Sequence, residues 1–120
     1  MTKTVVFDFD GVIHSYTSGW TGICNISDPP VPGIKEAIAN IRASGYKVVV
    51  VSTRCMFFEG ELEIKKYLDE HGIVVDAVMR EKPPAMVYID DRAIHFDGDA
   101  SNLLDKIRTF QPWNKKGIEL

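Results

Sequence analysis

Apolar positions along this chain alternate between short unbroken runs and stretches with helical spacing. Val5-Val6-Phe7 is a β-prone run suited to a strand covered on both faces. It ends in Asp8-Phe9-Asp10, and Gly11 then permits a sharp exit. Beyond a long irregular stretch, Pro32-Gly33 opens a helix whose Ile34, Ala37, Ile38 and Ile41 fall at i, i+3, i+4 and i+7, with Gly45 placed to stop it. Tyr46 to Val51, nearly all apolar after Lys47, predicts a central strand of a parallel sheet and ends in Ser52-Thr53-Arg54. A helix from about Glu59 carries Ile64, Tyr67 and Leu68 on one face, with Gly72 after it. Ile73 to Met79 holds a third strand, and Arg80 to Pro84 is a basic connection containing proline. Met86 to Ile89 is a fourth strand, ending in Asp90-Asp91-Arg92. Ala93 to Phe96 suggests a short edge strand. Asp97-Gly98-Asp99 turns the chain into a last helix through Ala100, Leu103, Leu104 and Ile107, its start capped by those aspartates.

Strands alternating with helices predict an α/β fold, a doubly wound, Rossmann-like parallel sheet in strand order 3-2-1-4-5. A length of 120 residues allows one core, so residues 1–120 are read as a single domain. Within it, 14–32 forms a flap-like loop and 111–120 a polar tail that frays or docks only locally through Trp113, Ile118 and Leu120. Hydrophobic content of 45% and charged content of 26% are those of an ordinary globular protein. The net charge of −3 argues against a general nucleic-acid-binding surface. No apolar run approaches the ~20 residues needed to span a bilayer, and no signal peptide is expected before the first strand. Cys24 and Cys55 form no C-x-x-C pair and are read as reduced thiols of a cytoplasmic protein.

The chemistry collects at strand ends. In an open α/β sheet, ligands bind beyond the carboxyl ends of the strands, and three of these ends carry Asp8/Asp10, Ser52 and Asp90/Asp91. Lys82-Pro83 arrives just before the fourth strand. In this order the chain resembles the haloacid dehalogenase-like (HAD) hydrolase superfamily along most of its length. Asp8-Phe9-Asp10-Gly11-Val12 is similar to its first motif, Ser52 to its second, Lys82-Pro83 to its third and Asp90-Asp91 to its fourth.

The resemblance implies a phosphohydrolase in which Asp8 is the nucleophile and forms an aspartyl-phosphate. Asp10 would then be the general acid and base, a dual use that suits a pKa tuned towards neutrality. Ser52 would bind a phosphoryl oxygen, because the family's phosphate-binding hydroxyl directly follows the apolar run; Thr53 beside it is a competitor. Lys82 would neutralise the nucleophile and the transferred group. Mg²⁺ would be held by Asp8, the backbone carbonyl of Asp10, and Asp90, with Asp91 more remote or acting through water. Arg54 and Arg92 either bind a second anionic group of the substrate or pair with a motif aspartate. His14, four residues after Asp10, is a lesser candidate for substrate contact, and His71 decorates a helix end.

Family members often carry a substrate-selecting cap domain after the first or second motif. Neither gap here can hold one, so the chain looks like a small capless member with an open site. Such a site suits a nucleotide, a nucleic-acid end or a small phosphorylated metabolite, or is closed by a second copy of the chain. Tyr16 and Trp20 can stack on a base or simply anchor the loop. Val12 stands where many such phosphatases have threonine, and no further acidic residue follows Asp91 closely. Phosphotransfer to an acceptor other than water, and a non-catalytic domain that binds a phosphorylated ligand, are the competing readings. Dehalogenation is disfavoured, since it needs neither the metal site nor Asp10.

Overall fold

Residues 2–114 are described by the computed structural model. The two valine-rich runs become the centre of the sheet: β1 (Thr4–Asp8) pairs in parallel with β2 (Lys47–Val51) on one side and with β4 (Val87–Ile89) on the other. β3 (Ala77–Met79) pairs with the outer side of β2, giving the order β3-β2-β1-β4. The register sets Asp8 opposite Val51, so Ser52 follows directly beside the nucleophile candidate.

Alternation along the strands sends two sets of side chains to opposite faces. Val5, Phe7, Val48 and Val50 face α1 (Ile34–Ala43) and α2 (Phe58–Glu70), where Ile38, Ile64, Tyr67 and Leu68 complete the main core. Each such fully buried side chain contributes about 1.5–3 kcal/mol. Val6, Val49 and Val51 face the other way, packed with Ala77 and with Ala85 from the 80–86 connection. That connection must pass β2 and β1 to reach β4. α1 begins after Gly33, which adopts φ 83°, a left-handed conformation that suits glycine.

Among the described residues the fifth strand does not form: Ala93 to Phe96 has no pairing partner there, and the sheet stops at β4. β4 offers only three residues to pair with, and none of them is buried. The last helix, α3 (Leu103–Thr109), is short and buries no residue, with Leu104 and Ile107 exposed. Its start is also built differently from expectation. Asp97 and Asp99 accept backbone N–H bonds from Asp99 and Ser101, shaping the turn, while Asn102 occupies the cap position without a capping side-chain bond. The tail docks locally: the Trp113 indole donates to the Gly11 carbonyl at 2.7 Å and Asn114 to that of Ser15. Ile118 and Leu120 lie outside the described residues. No helix among the described residues is long and apolar enough to cross a membrane, and both cysteines are free.

Candidate active site

A cleft of about 270 Å³ opens at the carboxyl ends of β1, β2 and β4, lined by Asp8, Asp10, Tyr16, Trp20, Ser52, Thr53, Asp90, Asp91 and Arg92. A larger hollow of about 530 Å³ sits before the starts of β2 and β3, around Lys35, Arg42, Tyr46 and Asp76. It holds the Arg42–Asp76 ion pair but gathers no acidic cluster among the described residues. The chemistry belongs to the smaller cleft.

Asp8, Asp90 and Asp91 each bring a carboxylate oxygen to within 4.8 Å of the others. Burial, then the charge of Asp90, then a hydrogen bond with Asp91 push the Asp8 carboxyl up to about 8. Burial likewise raises Asp91, and its Oδ1 is buried with no hydrogen-bond partner. An orphaned buried oxygen within a set of crowded carboxylates fits a hard divalent cation, which prefers carboxylate oxygens and water. Gly11 makes this approach possible. Its φ of 85° disfavours any other residue, and a Cβ there would collide with the Asp91 carboxylate.

Asp10 faces the other way. Its Oδ2 accepts from Arg54 Nε at 2.8 Å, and its Oδ1 accepts from Arg54 Nη2 at 3.1 Å. Oδ1 is also 2.8 Å from His14 Nδ1. The Asp28 backbone N–H donates to His14 Nε2, so the proton of a neutral His14 sits on Nδ1 and points at Asp10. Burial alone would raise Asp10, but the bonds from His14 and Arg54 outweigh it and hold the carboxyl below its usual range. The expectation of a near-neutral Asp10 is therefore not met, because Arg54 and His14 both bond this carboxylate; the raised pKa falls on Asp8. With its side chain so engaged, Asp10 has its backbone carbonyl left to offer a metal.

Arg54 resolves as an ion pair with a motif aspartate. It is 0% exposed, and its Nη1 donates to the carbonyls of Gly22 and Ile23 at 2.7 Å. His14 is buried, so it supports Asp10 and does not reach the cleft. Ser52 is buried at the strand end, its Oγ accepting from Arg54 N, and Thr53 is the exposed neighbour. Lys82 is 54% exposed at the side of the site, its Nζ 3.5 Å from Asp90 Oδ2. It is not among the cleft-lining residues. Arg92 lines the cleft, and among the described residues only its backbone N–H is hydrogen-bonded, to Asp90.

Several supporting residues had no signal in the sequence. Asp28 ties the loop together by accepting from the Ser18 N–H and hydroxyl, and its carbonyl accepts from the Tyr67 hydroxyl. Gly60 in α2 lies where a Cβ would collide with the Arg54 carbonyl and crowd Ile23. The Tyr67–Asp28 bond, across 39 positions, is of a separation that no local pattern reveals.

No known family pattern matches the chain, and neither does any curated protein. Among solved structures it is similar to a structural-genomics target from Vibrio cholerae, at 22% identity and a TM-score of 0.53, covering 78% of this chain and 83% of the other. It is also similar to a D,D-heptose 1,7-bisphosphate phosphatase from Burkholderia thailandensis, at 29% identity and a TM-score of 0.40. That match covers 65% of this chain and spans about half, 52%, of the phosphatase. The Vibrio likeness shows the fold, an α/β domain with a parallel four-stranded sheet flanked by helices.

Proposed function

We propose that this chain is a phosphohydrolase of the haloacid dehalogenase-like type, cleaving a phosphomonoester through an aspartyl-phosphate on Asp8. The observation that carries this reading is the meeting of Asp8, Asp90 and Asp91 at adjacent strand ends, one residue from the Ser52 hydroxyl in register. Once Asp8 has given up its proton to solvent, one of its carboxylate oxygens forms a bond to phosphorus as the bond to the leaving oxygen breaks. Water then attacks phosphorus, releasing inorganic phosphate and the free Asp8 carboxylate.

Asp8, Asp90 and Asp91, with the Asp10 carbonyl, would hold Mg²⁺, which when bound neutralises charge on the carboxylates and the phosphoryl oxygens. Ser52, with Thr53 beside it, binds the phosphoryl oxygens. Lys82, at the side of the site, pairs with Asp90 and adds positive charge beside the carboxylates. Asp10, ionised as found, suits removal of a proton from the attacking water. To protonate the leaving oxygen it must first be released in part by Arg54 or His14 and take up a proton from water, which it then passes to that oxygen. Substrates are a nucleotide, a nucleic-acid end or a small phosphorylated metabolite, taken into an open, capless cleft.

The Asp10–Arg54 ion pair favours one second reading, a domain that binds a phosphorylated ligand without turning it over. A Mg²⁺-supplemented phosphatase screen of wild type and Asp8→Asn separates them. Hydrolysis of at least one phosphomonoester, abolished by Asp8→Asn and by chelation, is expected. Undiminished activity in Asp8→Asn removes Asp8 as nucleophile, and no activity on any class leaves the binding domain.

A further inference from the structure

We propose that the Trp20 ring, propped on the buried Arg54 guanidinium at the rim of the carboxylate cleft, is a stacking platform for the base of a nucleoside phosphate. This rests on the reading above, that the phosphate sits at Asp8 and Ser52, and it narrows the substrate class. The support beneath the ring is rigid: four hydrogen bonds, to both Asp10 oxygens and to the Gly22 and Ile23 carbonyls, hold a guanidinium with no solvent exposure. The Arg54 Cζ lies 4.7 Å from the Trp20 ring centroid, within cation–π range. One face of the indole is therefore covered and its orientation held, yet the residue remains 51% exposed and lines the cleft.

A packing role alone does not account for that exposure. The loop is already fastened without the indole, through Arg54 to Gly22 and Ile23, Ser18 to Asp28 and Tyr67 to Asp28. A large aromatic left half in water, beside a site for a charged group, is the arrangement by which bases are held on π-faces. Two neighbours on the same rim fit a nucleoside. Tyr16 adopts φ 61°, a left-handed conformation rare outside glycine and of the kind retained at functional sites. Arg92 lines the cleft with no side-chain hydrogen bond or ion pair among the described residues, leaving its guanidinium to meet sugar hydroxyls or a second phosphate.

The test is equilibrium binding by calorimetry with Mg²⁺ on the full chain, in an Asp8→Asn background that prevents turnover. The ligands are adenosine monophosphate, ribose 5-phosphate, phenyl phosphate and a 5′-phosphorylated tetranucleotide. Base stacking predicts that adenosine monophosphate binds about tenfold tighter than ribose 5-phosphate. Trp20→Ala should erase that ratio while leaving ribose 5-phosphate binding intact, and Trp20→Phe should keep most of it. Equal binding of the two ligands, a ratio unchanged by Trp20→Ala, no binding of either, or a preference for phenyl phosphate over the nucleotide would each overturn the proposal. Tighter binding of the tetranucleotide supports it with a nucleic-acid end as the source, and equal or weaker binding supports it with a free nucleotide. Failure of the phosphatase reading shows separately: a wild type that hydrolyses nothing but keeps the Trp20-dependent ratio leaves the platform standing.

Discussion

Asp8 and Asp10 leave the same strand end two residues apart and enter opposite electrostatic worlds. Asp8 meets two more carboxylates and holds its proton to about pH 8, whereas Asp10 is held ionised by Arg54 and His14. On one side carboxylates crowd one another, with Lys82 and Arg92 at the margin; on the other a single carboxylate is bonded by Arg54 and His14. Environments that drive two acids apart in pKa assign them different work. Here the side crowded with carboxylates is the one whose chemistry fits a divalent cation. The other side is a fixed frame that also ties down the loop carrying Trp20.

The largest blow to this contrast is Asp8→Asn. We expect turnover to fall by roughly a thousandfold or more, while the melting temperature measured at pH 7 without Mg²⁺ stays level or rises, because an amide needs no proton uptake to sit among the other carboxylates. Next comes Arg54→Met, which leaves Asp10 part-buried with the His14 bond but without its guanidinium partner. Urea denaturation should show a loss of about 3–5 kcal/mol, partly recovered in the double variant with Asp10→Asn. A single-variant loss below about 1 kcal/mol would place the pair among weak surface contacts.

Magnesium sharpens the comparison from the other side. At a hundred times its dissociation constant it should stabilise the wild type by about 2.7 kcal/mol, and Asp91→Asn should remove most of that gain in a thermal melt. The two aspartates also predict opposite responses to pH. Without Mg²⁺, folded Asp8 keeps a proton that the unfolded chain releases, so stability should decline as pH rises from about 3.8 towards about 8. Asp10 does the reverse, with its contribution present above 3.8 and lost as pH falls through its lowered folded value. Saturating Mg²⁺ should flatten the first slope and leave the second; a metal-free protein equally stable across the upper range would contradict the crowded-carboxylate picture. The smallest expected effect is that of Trp113→Phe, about 0.5–1.5 kcal/mol, from loss of the bond to the Gly11 carbonyl beside Asp91.

How much of this was legible along the chain depended on how far the relevant contacts reach. β1, β2, α1 and α2 followed from apolar periodicity because each buries a continuous run or stripe, and Ile38, Ile64, Tyr67 and Leu68 are buried as their spacing requires. β4 and α3 are weaker cases, since neither buries a residue. The edge strand at Ala93 to Phe96 is not formed: the segment, interrupted by His95, finds no pairing partner among the described residues beside the unburied β4.

By itself, the sequence determined the strand ends, and with them the placing of Asp8, Ser52 and Asp90–Asp91 on one edge of a parallel sheet. Strand length and parallel order are local and topological properties, set by burial and by the connections that bury it. Only the tertiary structure decided which carboxylate meets which charge. Arg54 reaches Asp10 across 44 positions and the Gly22 carbonyl across 32. The pKa of each aspartate is made by such long-range neighbours and by the depth at which the fold buries them.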